Sequence, residues 1–94
     1  MVEIRWSPKA ADDYDSIIKY YEKTAPKFAQ TLAKKIIYII ENLNQFPKMG
    51  RIVPELEIEE IREIIYRNFR IIYRLKEEIL EIARIIHGSR LLRI

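Results

Sequence analysis

The 94-residue chain has no cysteine and a single histidine, and these two shortages remove whole classes of chemistry. Without cysteine there is no disulfide and no zinc-thiolate site. One histidine argues against a histidine-built metal centre, and no stretch carries a calcium loop or a paired-histidine pattern. The reading is therefore of a protein with no metal and no cofactor. Long apolar runs are missing too. The longest, Ile36 to Ile40, is far below the ~20 residues that a bilayer demands. Met1-Val2-Glu3-Ile4-Arg5 lacks the basic region and apolar stretch of a signal peptide. The expectation is a chain that begins at Met1 and stays in the cytoplasm, away from membranes. No internal repeat or low-complexity segment is present. Methionine is scarce while Ile, Glu, Lys and Arg are heavily used, which tilts the composition toward a heat-adapted source.

What is present describes one small domain spanning 1–94. Hydrophobic content of 49% with 33% charged residues suits a folded globule and neither a disordered nor a membrane-spanning chain. A mass of 11.4 kDa supports a single core, so any active site lies on an open surface or in a shallow groove. Net charge of +3 and a pI near 9.2 favour an acidic partner such as nucleic acid, although a merely basic soluble protein has the same balance.

Val2 to Trp6 is long enough for one strand. Ser7-Pro8 then reads as a helix start, with Ser7 capping free amides and Pro8 in the first turn. Ala10, Tyr14, Ile17, Ile18 and Tyr21 form a stripe that predicts a helix over about 8–23. Pro26 ends it and opens a second, whose stripe of Phe28, Ala29, Leu32, Ile36, Ile39, Ile40 and Leu43 runs to about Asn44. So short a link makes an antiparallel helical hairpin. Phe46 to Glu60, broken by Pro47, Gly50 and Pro54 and carrying Glu55, Glu57, Glu59 and Glu60, reads as a long connecting loop. Ile61 to Tyr66, Phe69 to Leu75 and Ile79 to Ile86, parted by Arg67-Asn68 and Lys76-Glu77-Glu78, predict a three-stranded antiparallel meander. The fold class is α+β, in the order β-α-α-β-β-β, an antiparallel sheet with the hairpin on one face.

Strand alternation groups the side chains. Phe69, Ile71 and Tyr73 form the helix-packed set, which places Arg70 and Arg74 on the opposite, open face. Arg62 joins them if the hairpin register pairs its face with theirs, and Glu63 opposite an otherwise apolar set favours that register. A cluster of guanidinium groups suits phosphate. For any one arginine the plainer account is a solvated residue paired with Glu63, Glu81 or a neighbour. His87 follows the last strand, placed either for proton transfer near neutral pH or as a hydrogen-bonded structural residue. Trp6, Tyr14, Tyr20 and Tyr21 read as core or helix-sheet packing. Lys34-Lys35 reads as a solvated helix face.

The order of landmarks resembles the RelE/ParE superfamily of toxins from type II toxin-antitoxin modules, often labelled plasmid stabilisation proteins. The matching residues are Trp6-Ser7-Pro8-Lys9-Ala10 with Asp13; Phe46-Pro47-Lys48-Met49-Gly50-Arg51 with Val53-Pro54-Glu55-Leu56; Arg62; Phe69-Arg70-Ile71-Ile72-Tyr73-Arg74; and Ile85-Ile86-His87-Gly88-Ser89-Arg90. The resemblance covers nearly the whole chain and implies a cognate antitoxin as partner. It implies one of two activities: RelE-like members enter the ribosome and cut messenger RNA, whereas ParE-like members bind DNA gyrase and trap it on DNA. Carried over by position, Arg70 would hold the scissile phosphate, with Arg62 and Arg90 in support and His87 as the acid-base group. Arg74 and Arg51 would be further phosphate contacts. The chain departs from the best-known ribonucleases of the superfamily in closing on Leu91-Leu92-Arg93-Ile94, with no terminal aromatic or histidine. The reading at this level puts metal-independent mRNA cleavage first and gyrase inhibition second.

Overall fold

The computed structural model describes residues 1–90. The Leu91–Ile94 ending singled out above lies outside the described residues. In chain order the elements are β1 (Glu3–Trp6), α1 (Pro8–Thr24), α2 (Pro26–Asn42), β2 (Arg51–Ile52), β3 (Ile61–Tyr66), β4 (Phe69–Lys76) and β5 (Ile79–His87). Local chemistry sets the helix boundaries. Ser7 Oγ accepts the Ala10 N–H at 3.0 Å while Pro8 occupies the first turn, where its missing N–H costs nothing. The same Oγ donates to the Ala83 carbonyl at 2.9 Å, so one residue both starts α1 and ties it to β5. Ala25 ends α1, and Pro26 begins α2 directly after it. Among the described residues no helix is long and apolar enough to cross a membrane.

The strands form one five-stranded sheet in the order β1-β5-β4-β3-β2. The meander is antiparallel, as hairpin connections of two residues require. β1 instead runs parallel to β5, with Glu3 aligned to Ile79 and Trp6 to Ile82, so the sheet is mixed rather than wholly antiparallel. No short turn joins β1 to β5, so nothing local dictates its direction. β2 is a second departure. Two residues of the expected loop, Arg51 and Ile52, pair with Glu63 and Arg62 at the far edge.

The main core fills the space between hairpin and sheet. Leu32, Ile36, Ile40 and Leu43 of α2 and Ala10 of α1 are buried there with Phe69, Ile71 and Tyr73 of β4. Leu80, Ile82 and Ile85 of β5 join them. Ile82 and Ile85 are three residues apart and could not share a face in a regular strand. A bulge resolves this: Ile72 aligns with Arg84 but Tyr73 with Ile82, so Ala83 is the extra residue and both isoleucines face inward.

The opposite face is not open. Val53, Ile72 and Ile86 are buried in a second, smaller core, with Leu56, Ile61 and Ala83 packed against it. The segment 53–60 lies across the sheet there. Tyr20 departs from its expected packing role: it is 66% exposed and meets Tyr21 edge-on at 5.0 Å. It sits one position before Tyr21 and therefore ~100° around the helix from that stripe residue.

Candidate functional site on the covered sheet face

The site begins with Arg70 on β4. Register pairs it with Ile65 and Ile86, placing it on the Ile72 face, opposite the helices, as alternation predicts. The surrounding chain decides its environment, and there the open-face expectation fails. Arg70 is only 5% exposed. Its Nε donates to Glu63 Oε1 at 2.6 Å, while Nη1 and Nη2 donate to the two oxygens of Glu55 at 2.6 and 2.7 Å. Nη1 also donates to the Arg90 carbonyl at 2.8 Å. The Glu55 carboxylate is the main reason that the guanidinium is held protonated more firmly than usual; burial opposes this and Glu63 adds to it.

Glu63 is fully buried and serves two arginines. One oxygen takes Arg70, and the other takes Arg51 Nε at 2.8 Å from the edge strand β2. Arg51 remains largely exposed. Arg74 shares the Arg70 face but is solvent-facing, with its Nε 3.6 Å from Glu60. Arg51, Arg70 and Arg74 are thus brought to one side of the sheet, each beside a carboxylate.

Arg62 lies on the other face. It aligns with Tyr73, and Glu63 with Ile72, the reverse of the register favoured above. The physical reason is that Glu63 is paired inside the covered face, so it does not need the solvent. Arg62 donates to the Gly50 carbonyl at 2.9 Å and belongs to a tight assembly at the end of the helical layer. There the Tyr73 hydroxyl accepts the Gly50 N–H at 2.9 Å and donates to the Pro47 carbonyl at 2.7 Å. Burial pushes the Tyr73 phenol above its ordinary pKa, opposed by the Gly50 hydrogen bond and by the Arg62 charge. Phe46, Pro47, Lys48 and Met49 line an adjoining open cleft of about 480 Å³, with Phe46 and Met49 mostly exposed.

His87 aligns with Phe69 and meets its ring edge-on, 6.3 Å between centroids, which puts it on the helix-packed side. Its Nδ1 lies 3.2 Å from the Ser89 amide nitrogen and 2.7 Å from Ser89 Oγ, so the ring is tied to the turn that follows β5. Arg62 and His87 share a face but not a place: their partners Tyr73 and Phe69 are four residues apart, roughly 13 Å along β4. Arg70 is separated from both by the sheet itself. Arg90 contributes its backbone carbonyl to Arg70, and the residue is exposed. Of the four residues expected to act on one phosphate, Arg70 and the Arg90 backbone meet, while Arg62 and His87 lie on the other face and apart from each other. Glu55, in the acidic run directly after Pro54, is a further residue of the site that no motif in the sequence marks.

Asp13 explains another part of the pattern. Its carboxylate accepts the Ile85 N–H at 3.0 Å and pairs with Arg84 at 2.7 and 3.1 Å. It closes the edge of β5 beyond the last residue that β1 covers. Among the described residues no three His, Asp or Glu side chains are grouped to hold a metal ion.

The family model for the ParE toxin of type II toxin-antitoxin systems, parDE, matches residues 4–92. The chain belongs to the ParE toxin family. A solved structure of the chromosomal ParDE toxin-antitoxin system from P. aeruginosa is 26% identical to this toxin, with a TM-score of 0.77 over 95% of this chain and 98% of that one. The YoeB dimer from Staphylococcus aureus shares the fold at 20% identity and a TM-score of 0.58, covering 88% and 92% of the two chains. The YoeB-YefM toxin-antitoxin complex of the same organism matches at 21% identity and 0.54, over 89% and 93%. Comparison with curated protein sequences returns no significant match.

Proposed function

We infer that this toxin acts as a ParE-like inhibitor of DNA gyrase, without hydrolytic activity, and that a cognate antitoxin neutralises it. The observation that carries this reading is the state of Arg70. Cleaving RNA without a metal requires a cation free to take charge from the phosphate and an acid-base group within hydrogen-bond reach of the same atoms. Arg70 is engaged by Glu55, Glu63 and a backbone carbonyl, and His87 lies on the other side of the sheet. An inhibitor that works by binding a protein needs no such pair. It needs accessible apolar surface, which Phe46 and Met49 supply beside the cleft. Membership of the ParE family supports the same choice, and the resemblance to P. aeruginosa ParDE supports an antitoxin partner.

The deciding experiment compares two assays on purified toxin. Gyrase-mediated DNA cleavage should accumulate double-strand breaks when toxin is added, and primer extension on translated messages should show no new ends. Codon-phased cuts in messages with no stabilised breaks would return the protein to the ribonuclease reading. Expression of the toxin alone should arrest growth, and co-expression of a small acidic partner encoded beside it should restore growth.

A further inference from the structure

The fold sorts its charges between the two ends of the sheet. Carboxylates gather where β4 turns into β5. The Glu3 amide donates to the Glu78 carbonyl there, the Leu75 amide donates to the Glu60 carbonyl, and Glu59, Glu60 and Glu77 line one groove. The other end is built from the junction of α1 and α2, the β3-β4 turn and the close of β5. Tyr21 meets Phe28 and Phe69 edge-on, at 4.9 and 6.5 Å between centroids, and Phe69 meets His87, so the three segments are neighbours. Over 20–30, 66–69 and 86–90 they carry Lys23, Lys27, Arg67 and Arg90 against a single carboxylate, Glu22.

Lys23, Lys27 and Arg67 are exposed, and none has an ion pair among the described residues. Lys27 stands in the first turn of α2, where a cation opposes the helix dipole, so its charge does not serve the helix. Arg67 is held by rings instead of a carboxylate. Its guanidinium lies over Phe28 at 5.2 Å and over Tyr66 at 5.7 Å, and its Nε donates to the Tyr66 hydroxyl at 3.2 Å. A ring face fixes the position of a cation without neutralising its charge. The β3-β4 turn thus presents a positioned guanidinium beside two unpaired lysines, and cations gathered without counterions attract a polyanion. We propose that this end of the toxin docks on the phosphate backbone of duplex DNA, with Lys23, Lys27 and Arg67 as its contacts. Cations on two turns read charge rather than sequence, so the binding is sequence-independent and sensitive to salt. The choice of DNA among polyanions rests on the gyrase reading, because gyrase works with DNA bound. The cleft at Phe46 and Met49 adjoins the other end, where Asn44 bonds both backbone groups of Val2, so protein and DNA would meet separate surfaces.

The test titrates a short DNA duplex of mixed sequence into the toxin alone, following anisotropy over a range of salt and amide resonances at low salt. The logarithm of the affinity should fall linearly with that of the salt concentration, with a slope that shrinks by about 0.9 for each contacting cation removed. Lys23→Gln with Lys27→Gln removes two exposed charges. Arg67→Asn removes the third and places a residue that accepts the left-handed φ of 53 at this turn. Lys9→Gln with Lys76→Gln, both exposed and away from this end, is the control of equal charge change. A slope unchanged in Lys23→Gln with Lys27→Gln and in Arg67→Asn overturns the proposal, and so does an equal reduction in the control pair. Resonances that shift at Glu77 and Glu78 rather than at Lys27 and Arg67 do the same. Tighter binding to single-stranded RNA of the same sequence overturns the choice of DNA. Gyrase assays keep the two readings apart: breaks from the parent with DNA binding unaltered in the variants sink this surface alone. Salt-dependent DNA binding that the variants lose, with no breaks from the parent, sinks the gyrase reading and leaves the surface standing.

Discussion

At the scale of single residues, Arg70 ties the covered sheet face together through Glu63 and Glu55. Arg70→Ala would remove the cation that Glu63 and Glu55 share, leaving buried Glu63 with Arg51, and breaking a buried pair from one side costs about 3–5 kcal/mol. The expected outcome is a lower urea midpoint with an unchanged slope, rather than a folded protein lacking activity. Tyr73 and Gly50 form the other tightly determined pair. Tyr73→Phe removes a hydroxyl that satisfies the Gly50 N–H and the Pro47 carbonyl, and leaving such groups unpaired costs about 1–3 kcal/mol. Gly50→Ala is the harsher test of the same contact. A Cβ there would lie 2.7 Å from both the Glu63 carbonyl and the Tyr73 hydroxyl, so overpacking should cost about 1–3 kcal/mol or displace the loop. Denaturant unfolding of the two variants measures both losses.

At the scale of elements, the sheet is finished by side chains as much as by strands. β1 covers β5 only as far as Ile82, and beyond it Asp13 from α1 takes over the ladder's role at Ile85. Asp13→Ala would remove a charged acceptor shared by a backbone amide and Arg84, a loss of about 1.5–3 kcal/mol. Amide exchange should quicken selectively at Ile85, while the β3-β4 hairpin keeps its protection. Uniform loss of protection across the sheet would show that Asp13 acts on global stability alone. The bulge at Ala83 belongs to the same scale. It lets β5 bury two isoleucines three residues apart, and strict alternation would have sent one of them to the wrong face.

For the whole molecule, the hydrogen-bonded, buried phenol couples stability to pH. The folded-state pKa of Tyr73 is raised, with burial as the largest cause, and burial raises that of Tyr14 as well. Above about pH 10 the unfolded chain releases these protons while the folded chain retains them. The native state then binds more protons than the unfolded one, so stability is fully present below that pH and falls as pH rises toward the folded values. Urea midpoints measured from pH 8 to 11 should decline over the upper part of that range. Tyr73→Phe should be less stable at pH 8 but show a shallower alkaline decline. An identical decline in the variant would assign the effect to other groups.

The extent of α1, the hairpin of helices and the three meander strands were legible in the chain because each rests on local chemistry. Ser7-Pro8 and Pro26 mark helix ends, the apolar stripes set helical period, and Arg67-Asn68 and Lys76-Glu77-Glu78 are short enough to force antiparallel neighbours. The apolar set of Phe69, Ile71 and Tyr73 likewise identified the face that packs on the helices. Where the arginines stand depended on contacts far apart in sequence. Alternation sets which residues share a face within one strand, but only the pairing of β3 with β4 sends Arg62 to the helix side and Glu63 to the other. Nothing in the acidic run reveals that it folds back over Arg70, fifteen positions from Glu55, since a glutamate in a loop has the same local preferences whether it meets water or a buried guanidinium. That choice belongs to the tertiary structure, because it is made by desolvation and charge pairing across the closed sheet face.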